Sequence, residues 1–274
     1  MSVKELLTKN KYNFNDLREI MEILRGENGC PWDREQTHKS IRNNFIEETY
    51  EFIEGVDKDD AEIMKEELGD VLLQVVFHAR MSEESGGFNI DDVADGICKK
   101  LIYRHPHIFS DTSVKDSEEV LRNWEELKKR EKGQKSASDS LKSVSKALPA
   151  LIRASKIQSK AAKVGFDYGN AADALEKVRE ETEEVSCELE KSERGEVCNI
   201  EEEIGDLLFA VVNVARLAGV NSEQALYNAN EKFERRFTKV EEEASKQGKK
   251  LENMTLKEMD VIWESVKNVE KVMK

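Results

Sequence analysis

Acidic residues spaced one helical turn apart are the side chains of this sequence best suited to chemistry. Glu48 precedes Glu51 by three positions, and Glu67 precedes Asp70 by three positions. On a helix such residues are neighbours, and like charges at this spacing repel each other unless a cation lies between them. Four carboxylates without His or Cys select Mg²⁺, with Mn²⁺ as a possible substitute, over Zn²⁺. The pattern therefore predicts a divalent-cation site of the kind that serves phosphate chemistry.

The second half of the chain repeats this acidic pattern. Its members are Glu181, Glu184, Glu203 and Asp206. A single E-x-x-E is usually a solvated helix face, but here the set is duplicated and each copy is followed by an apolar run, VLLQVVFHA after Asp70 and LLFAVV after Asp206. Such a run predicts a helix that is buried on nearly every face, in the middle of a bundle. We therefore expect both carboxylate sets to lie at the mouth of a core and to bind metal.

A glycine stands immediately before the aspartate in each copy, Gly69 before Asp70 and Gly205 before Asp206. Glycine inside a helix costs on the order of 1 kcal/mol relative to alanine, so the missing side chain must serve a purpose. Close packing of a neighbouring helix is one explanation. Room for a ligand or for a metal-bound water is the other.

The elements that position these carboxylates are predicted to be helices. The chain has only 14 glycines and 3 prolines, while 36% of its residues are charged, which favours helices over sheets. One helix is predicted around Glu48 and Glu51, with an apolar side made of Ile41, Phe45, Phe52, Ile53 and Val56. We predict an all-α protein.

The whole chain reads as two tandem copies of one module. EETYEFIEG and EELGDVLLQVV in the first half correspond to EETEEV and EEEIGDLLFAVV in the second. An aromatic–Asp pair precedes each copy (Trp32–Asp33 and Phe166–Asp167), and a W-E-x-x-K signature that begins at Trp124 or Trp263 closes it. A segment rich in Ser and Lys lies between them. We predict an N-terminal four-helix-type module over residues 1–131, a linker over 132–146 and a C-terminal module over 147–274.

Bulk properties exclude several classes of partner. Acidic residues outnumber basic ones by 57 to 43, so the net charge of −14 repels nucleic acid. No stretch approaches the roughly 18 apolar residues of a membrane span, and the N-terminus lacks the apolar stretch of a signal peptide. The four cysteines form no C-x-x-C pair. We expect a cytoplasmic protein with no nucleic-acid partner and no membrane partner.

The combined motifs resemble those of the MazG family, within the all-α nucleoside triphosphate pyrophosphatase superfamily. The resemblance rests on E-E-x-x-E, E-x-x-D, K-F-E-R-R and W-E-x-x-K, and it covers roughly residues 15–270. GCPWD at residues 29–33 and YRHPHIF at residues 103–109 look like the family's first module. The resemblance implies Mg²⁺-dependent hydrolysis of nucleoside triphosphates to monophosphate and pyrophosphate, with broad specificity and a house-cleaning role.

The resemblance also implies roles for individual residues, with the second module as the main catalytic one. Its metal ligands and catalytic groups would be Glu181, Glu184, Glu203 and Asp206. Its substrate-binding residues would be Lys177, Glu180, Glu202, Lys232, Arg235, Arg236, Trp263 and Lys267. The first module keeps the metal ligands Glu48, Glu51, Glu67 and Asp70 but has CKKLIYRHPHIF in place of the K-F-E-R-R region, which leaves its activity open.

The sequence leaves other functions and the assembly open. A homodimer or higher oligomer is expected, because short helices leave apolar surface uncovered and the superfamily's sites are typically completed by a second subunit. A narrower substrate, such as dUTP, is one alternative. A non-catalytic helical regulator or interaction protein that binds nucleotide or metal is another. A di-iron bundle is disfavoured because it calls for Glu-x-x-His, whereas Asp70 and Asp206 stand at that position.

Overall fold

The computed structural model describes residues 3–110, 113–131, 133 and 136–272. All regular structure within these residues is helical, as predicted. The chain divides into two compact units, Met1–Lys128 and Lys129–Lys274. None of the described helices is both long enough and apolar enough to span a membrane.

The first unit is built around a pair of long helices. Its helices are α1 (Val3–Leu7), α2 (Phe14–Arg25), α3 (Pro31–Glu35), α4 (Arg42–Asp57), α5 (Ala61–Glu84), α6 (Ile90–Arg104), α7 (Pro106–Phe109) and α8 (Ser117–Glu131), the last of which runs across the boundary between the units. The hairpin of α4 and α5 forms the most extensive helix pair, and α2 and α6 pack on α5. The core of the unit consists of Met21, Ile41, Val76, Phe77 and Met81.

The second unit repeats this arrangement. Its helices are α9 (Ala137–Lys142), α10 (Ala150–Ala162), α11 (Ala171–Glu193), α12 (Ile200–Leu217), α13 (Ser222–Lys246) and α14 (Leu256–Val272), with a 3₁₀ turn at Leu251–Asn253. The hairpin of α11 and α12 corresponds to that of α4 and α5, and α10 packs on α12. A separate cluster of Val240, Ala244, Ile262 and Val266 joins α13 to α14.

Local sequence explains how both hairpins form. The side chain of Asp60 accepts hydrogen bonds from the backbone at the start of α5, and Asn170 does the same for α11. The turn after α4 passes through Asp59 at a φ of 53°, and the turn after α11 passes through Gly195 at a φ of 70°. Gly55 permits a close approach, because a Cβ there would lie 2.9 Å from a side-chain atom of Ile63.

The segment expected to be a linker contains the short helix α9. This helix packs against α10, and Lys160 of α10 donates a hydrogen bond to Ser140 of α9 at 2.9 Å. Val144, just beyond α9, is buried. Residues 132, 134 and 135 of the segment lie outside the described residues. The linker over 132–146 stays a prediction, while the unit boundary falls between residues 128 and 129.

The prediction that the apolar runs are buried on nearly every face is wrong for α12. Ala210 and Val212 are buried, but Leu208, Phe209 and Val211 are between 42% and 53% exposed. Helices α10, α11 and α13 cover only part of α12, so one apolar face remains in contact with solvent in the single chain. In α5, Gln74, Val76, Phe77 and Ala79 of the run are buried, whereas Leu72, two residues before Gln74, and Leu68, six residues before it, are exposed.

The predicted apolar side of α4 is also partly wrong. Ile41 is buried and Phe45 and Phe52 are half-buried, but Ile53 and Val56 are exposed. Glu48 is half-buried on the same stripe as the two phenylalanines, three residues after Phe45 and four before Phe52. Helix α5 covers only one narrow stripe of α4, which is made of residues three and four apart and ends at the buried Gly55. Ile53 and Val56 lie beside this stripe and therefore stay exposed.

Candidate active site

In the first unit, the α4–α5 hairpin brings three of the four predicted carboxylates together. Glu48, Glu67 and Asp70 are half-buried, and one oxygen from each lies within 4.8 Å of the others. Glu51 is exposed and stands at the edge of this triad. Desolvation, and then the charges of Asp70 and Glu51, raise the pKa of Glu48. Desolvation, and then the charges of Glu51 and Asp70, likewise raise the pKa of Glu67.

In the second unit, the α11–α12 hairpin gathers Glu181, Glu184 and Glu203 in the same way. One oxygen from each lies within 4.8 Å of the others, and Glu181 is only 4% exposed. A hydrogen bond with Glu181, and then desolvation, raise the pKa of Glu184. Desolvation comes first for Glu203, whose pKa is raised further by the charges of Glu181, Glu202 and Asp206. Asp206 stands at the edge of the triad, as Glu51 does in the first unit.

Lys177 and Glu180, predicted to bind substrate, lie at this second cluster. The Nζ atom of Lys177 is 2.7 Å from a Glu181 oxygen and 2.9 Å from a Glu180 oxygen. These hydrogen bonds, that with Glu181 first, raise the pKa of Lys177 above its ordinary value. Glu202, at the start of α12, is exposed and accepts a hydrogen bond from the amide of Asn199. The structure therefore brings Glu180 and Glu202 to the rim of the cluster and Lys177 into it.

A cavity of about 760 Å³ adjoins the second cluster. Lys177, Glu181 and Asp206 lie on its wall. Apolar and amide side chains of α9, α10, α11 and α12, together with the turn from Gly165 to Tyr168, form the rest. A volume of this size is within the range of about 300–1,000 Å³ that is typical of small-molecule sites.

The predicted phosphate-binding residues of α13 lie elsewhere in the second unit. Arg236 donates to Glu270 of α14 at 2.8 Å, and Arg235 and Lys239 pair with the same carboxylate at 3.3 Å. These partners, Arg236 first, lower the pKa of Glu270 to about 2. Lys232 is exposed one turn before Arg236. In the described chain, none of these basic residues lines the cavity.

Each closing tryptophan contacts at least one basic side chain. Trp263 packs against Phe233, with 5.3 Å between the two ring centroids. The guanidinium of Arg236 lies 5.9 Å from the centroid of the Trp263 ring. In the first unit, Arg104 and Lys128 lie 5.4 and 4.8 Å from the ring centroid of Trp124. Lys267, the last residue of the second W-E-x-x-K signature, pairs with Glu264 at 2.6 Å. Trp263 and Lys267 do not line the described cavity.

The residues of both clusters suit a divalent cation. The ligand atoms are all carboxylate oxygens, which Mg²⁺ prefers. In the second cluster, Oε2 of Glu181 is buried and has no hydrogen-bond partner among the described residues. Such an oxygen is costly to leave unpaired, and a cation would satisfy it.

The two glycines leave open space beside the clusters. A Cβ added at Gly69 or Gly205 would meet nothing within 4 Å. Close packing of another helix within the described chain therefore does not explain either glycine. Room for a ligand or for a metal-bound water stays a prediction.

Sequence reasoning missed two amide side chains that line the cavity. Gln158 of α10 and Asn213 of α12 both line it, and neither belongs to a charged motif. The available signal was weak, because it consisted of a single amide within an otherwise apolar stretch, such as Asn213 in FAVVNVA. Recognising them required the positions of α10 and α12 relative to each other.

Comparison with known proteins agrees with this architecture. The family described as MazG nucleotide pyrophosphohydrolase domain matches residues 36–109 and 170–241, one match in each unit. The nucleoside triphosphate pyrophosphohydrolase of Escherichia coli (strain K12) is 45% identical over 252 residues, which cover 92% of this chain and 95% of that protein. Nucleoside triphosphate pyrophosphohydrolase/pyrophosphatase MazG of Thermotoga maritima is 44% identical over 254 residues, with 93% and 95% coverage.

A third relative is longer than this chain. The uncharacterized protein YabN of Bacillus subtilis (strain 168) is 50% identical over 260 residues, which cover 95% of this chain and 53% of YabN. The paired helical units and the two domain matches define the class of protein as the nucleotide pyrophosphohydrolases, which are hydrolases. Within that class the chain belongs to the MazG family.

Proposed function

We propose that the protein hydrolyses nucleoside triphosphates between the α- and β-phosphates, with Mg²⁺, to a monophosphate and pyrophosphate. The observation that carries this proposal is the cluster of Glu181, Glu184 and Glu203 beside a cavity large enough for a nucleotide. The names of the relatives from Escherichia coli and Thermotoga maritima support the same reaction. Broad specificity among canonical and damaged nucleotides, and thus a house-cleaning role, is part of the proposal.

Glu181, Glu184, Glu203 and Asp206 would hold the Mg²⁺. When bound, the ion would neutralise part of the triphosphate charge and act as a Lewis acid at the phosphate. Mn²⁺, which prefers the same hard ligands, is expected to substitute for it. In the first unit, Glu48, Glu67 and Asp70, with Glu51 at the edge, would hold an ion in the same way.

The carboxylates themselves suit proton transfer. Glu184 and Glu203 have a raised pKa, and a base is more effective when its pKa approaches the working pH. One of them would accept the proton of the attacking water. Lys177 would leave its present pairing with Glu180 and Glu181 to bind a phosphate oxygen of the substrate.

The basic residues of α13 would bind the leaving pyrophosphate, with Trp263 and Lys267 nearby. Charge on that group grows as the bond breaks, and fixed cations stabilise it. We propose that these residues reach a substrate in the assembled oligomer, because they do not line the cavity of the single chain. The exposed apolar residues of α12, Ile204, Leu208 and Val211, support a homodimer or higher oligomer.

An assay of pyrophosphate release over a panel of NTPs and dNTPs, with and without Mg²⁺, tests the proposal. We expect Mg²⁺-dependent release of pyrophosphate rather than phosphate, and a Glu184→Gln variant that is inactive. The panel also separates broad specificity from a preference for one nucleotide such as dUTP. A protein that binds nucleotide but releases no pyrophosphate from any of them would instead be a non-catalytic regulator.

A further inference from the structure

The cavity of the second unit has two chemically different ends. At one end, Lys177, Glu181 and Asp206 continue into the carboxylate cluster. The other end lies about two turns further along α12, where Arg216, which is hydrogen-bonded to Asn213, pairs with Asp167 of the turn after α10. Leu141 of α9, Ile157 of α10, and Phe166 and Tyr168 of that turn add apolar and aromatic side chains to the lining. Both aromatic rings are exposed, Phe166 by 83% and Tyr168 by 43%. Lys177 is the sole Lys or Arg among the described residues that line the cavity, and it belongs to the end with the carboxylates. The apolar end therefore suits a flat, uncharged group.

Gln158 supplies an unpaired hydrogen-bond acceptor at the apolar end. Its side chain is only 6% exposed, and its Nε2 donates to the backbone carbonyl of Phe209 at 2.8 Å. A carbonyl can only accept, so this bond fixes the orientation of the amide. Oε1 of Gln158 is buried and has no partner among the described residues. Buried acceptors are rarely left unpaired, which points to a ligand that donates.

Asn213 supplies a matching donor. Its Oδ1 accepts hydrogen bonds from Arg216, at 3.1 Å from Nε and 2.7 Å from Nη2. Arg216 is itself paired with Asp167. These contacts fix the amide of Asn213 with its oxygen towards Arg216, so its Nδ2 is the group left to donate. Among the described residues, that nitrogen has no hydrogen-bond acceptor of its own.

We propose that this end of the cavity is the nucleobase pocket, and that Gln158 and Asn213 read the edge of the base. This inference rests on the proposed function, which places the triphosphate at the carboxylate cluster. A base edge offers a donor to Oε1 of Gln158 and an acceptor to Nδ2 of Asn213, while its faces contact apolar and aromatic side chains. A phosphate is excluded from this end, because Asp167 neutralises Arg216 and the remaining lining is uncharged or acidic.

The Asn213→Asp variant tests the pocket with almost no change in shape. The carboxylate introduced by this substitution would still accept from Arg216, but a second acceptor would replace the donor Nδ2 beside Gln158. Guanine is the base whose Watson–Crick edge offers two neighbouring donors, so it is the base that this altered pocket favours. We expect the ratio of kcat/KM for guanine nucleotides over adenine, cytosine and uracil nucleotides to rise about tenfold or more.

Two further variants complete the comparison. Asn228→Asp is the matched control, since Asn228 is exposed on α13, accepts from Gln224 at 3.2 Å and lies outside the cavity; its ratios should equal those of the wild type. Gln158→Leu should lower kcat/KM for every nucleotide, because each of the four bases has a donor for Oε1. Thermal melts establish that each variant is folded, and Asn213→Asp alone suffices if Gln158→Leu does not fold.

The result that overturns the pocket is a fall in kcat/KM that is equal for all bases in Asn213→Asp. A wild type that releases no pyrophosphate from any nucleotide would overturn the proposed function instead. In that case the pocket is tested by titrating each of the four nucleoside monophosphates into the protein in EDTA and measuring the binding by calorimetry. Base-dependent affinity that shifts towards guanosine monophosphate in Asn213→Asp upholds it, and affinities unchanged by the substitution overturn it.

Discussion

The Nζ atom of Lys177 lies 2.7 Å from a carboxylate oxygen of Glu181, one turn further along α11. The ammonium thus supplies a positive charge to a cluster that would otherwise hold only like charges. The corresponding position of the first unit, one turn before Glu48, is Asn44. The two sets of four carboxylates correspond in sequence, but only the second has a lysine paired with it, and we therefore expect the two sets to bind cations differently.

Removal of this lysine is expected to tighten metal binding at the second cluster. In the absence of nucleotide, Lys177→Met should lower the dissociation constant of the second-unit site for Mn²⁺ by about three- to tenfold, because the ammonium no longer competes for Glu181. The gain is limited because the lysine is about one-third exposed and its charge is screened. Titration with Mn²⁺ followed by electron paramagnetic resonance measures it.

The control for Lys177→Met is Lys246→Met, which removes a lysine from an exposed pair with Glu243 on α13. Its Mn²⁺ affinity should match that of the wild type. Turnover of nucleotide should fall in Lys177→Met alone, since the proposed phosphate contact is lost. Weaker Mn²⁺ binding in Lys177→Met would show that the lysine supports the ion instead of competing with it.

Glutamine substitutions are expected to locate turnover in the second unit. Glu184→Gln should lower kcat by at least about 100-fold, because it removes a ligand and a candidate base with little change in shape. Glu67→Gln, in the triad of the first unit, should leave kcat within about threefold. Glu183→Gln is the matched control, as Glu183 is exposed on α11 beside Glu184. Steady-state rates of pyrophosphate release measure this, and an equal loss in Glu67→Gln would show that turnover requires both units.

The carboxylate clusters could be predicted from the sequence because their geometry is local. Residues three apart on a helix, such as Glu181 and Glu184, are neighbours wherever the helix lies, and the repeat indicated which helices pair. Which carboxylates stand at the edge of each cluster could not be predicted. The outer place of Asp206 depends on how far α12 is rotated about its axis against α11, which no single-helix pattern specifies.

Other features depended on contacts between distant segments. The pairing of Arg236 with Glu270 requires the position of α14, 34 residues further along the chain. The exposure of Leu208 and Val211 depends on how many helices surround α12 in one chain, whereas periodicity reports only that the helix is apolar. Gln158 and Asn213 form one site only because α10 packs on α12.

The exposed face of α12 is expected to be an interface between copies of the chain. Leu208→Lys should convert the wild-type oligomer to a species near 31.4 kDa, because a buried unpaired ammonium is costly at an interface. Sedimentation velocity at micromolar concentration measures this. Val197→Lys is the control, since Val197 is 99% exposed in the turn before α12 and should leave assembly unchanged. A wild type that itself sediments as a monomer would contradict the prediction.

The contact of Glu270 with three basic residues is expected to stabilise the fold in a pH-dependent way. Arg236, with Lys239 and Arg235, lowers the pKa of Glu270 from 4.5 to about 2. A lowered carboxylate pKa stabilises the folded state above the unfolded value of 4.5, and this contribution is lost as the pH falls from 4.5 towards 2. Glu270→Gln should therefore lower Tm by a few degrees at pH 7, and the difference from the wild type should shrink below pH 4.5.

Thermal melts of both proteins between pH 7 and pH 3 measure this difference. Glu264→Gln is the matched control on the same helix, because Glu264 is exposed and pairs only within one turn with Lys267, and pairs of this kind contribute little to stability. Its Tm should remain close to that of the wild type at each pH. A difference between wild type and Glu270→Gln that stays constant down to pH 3 would mean that packing at α13 and α14, and not the charge of Glu270, provides the stabilisation.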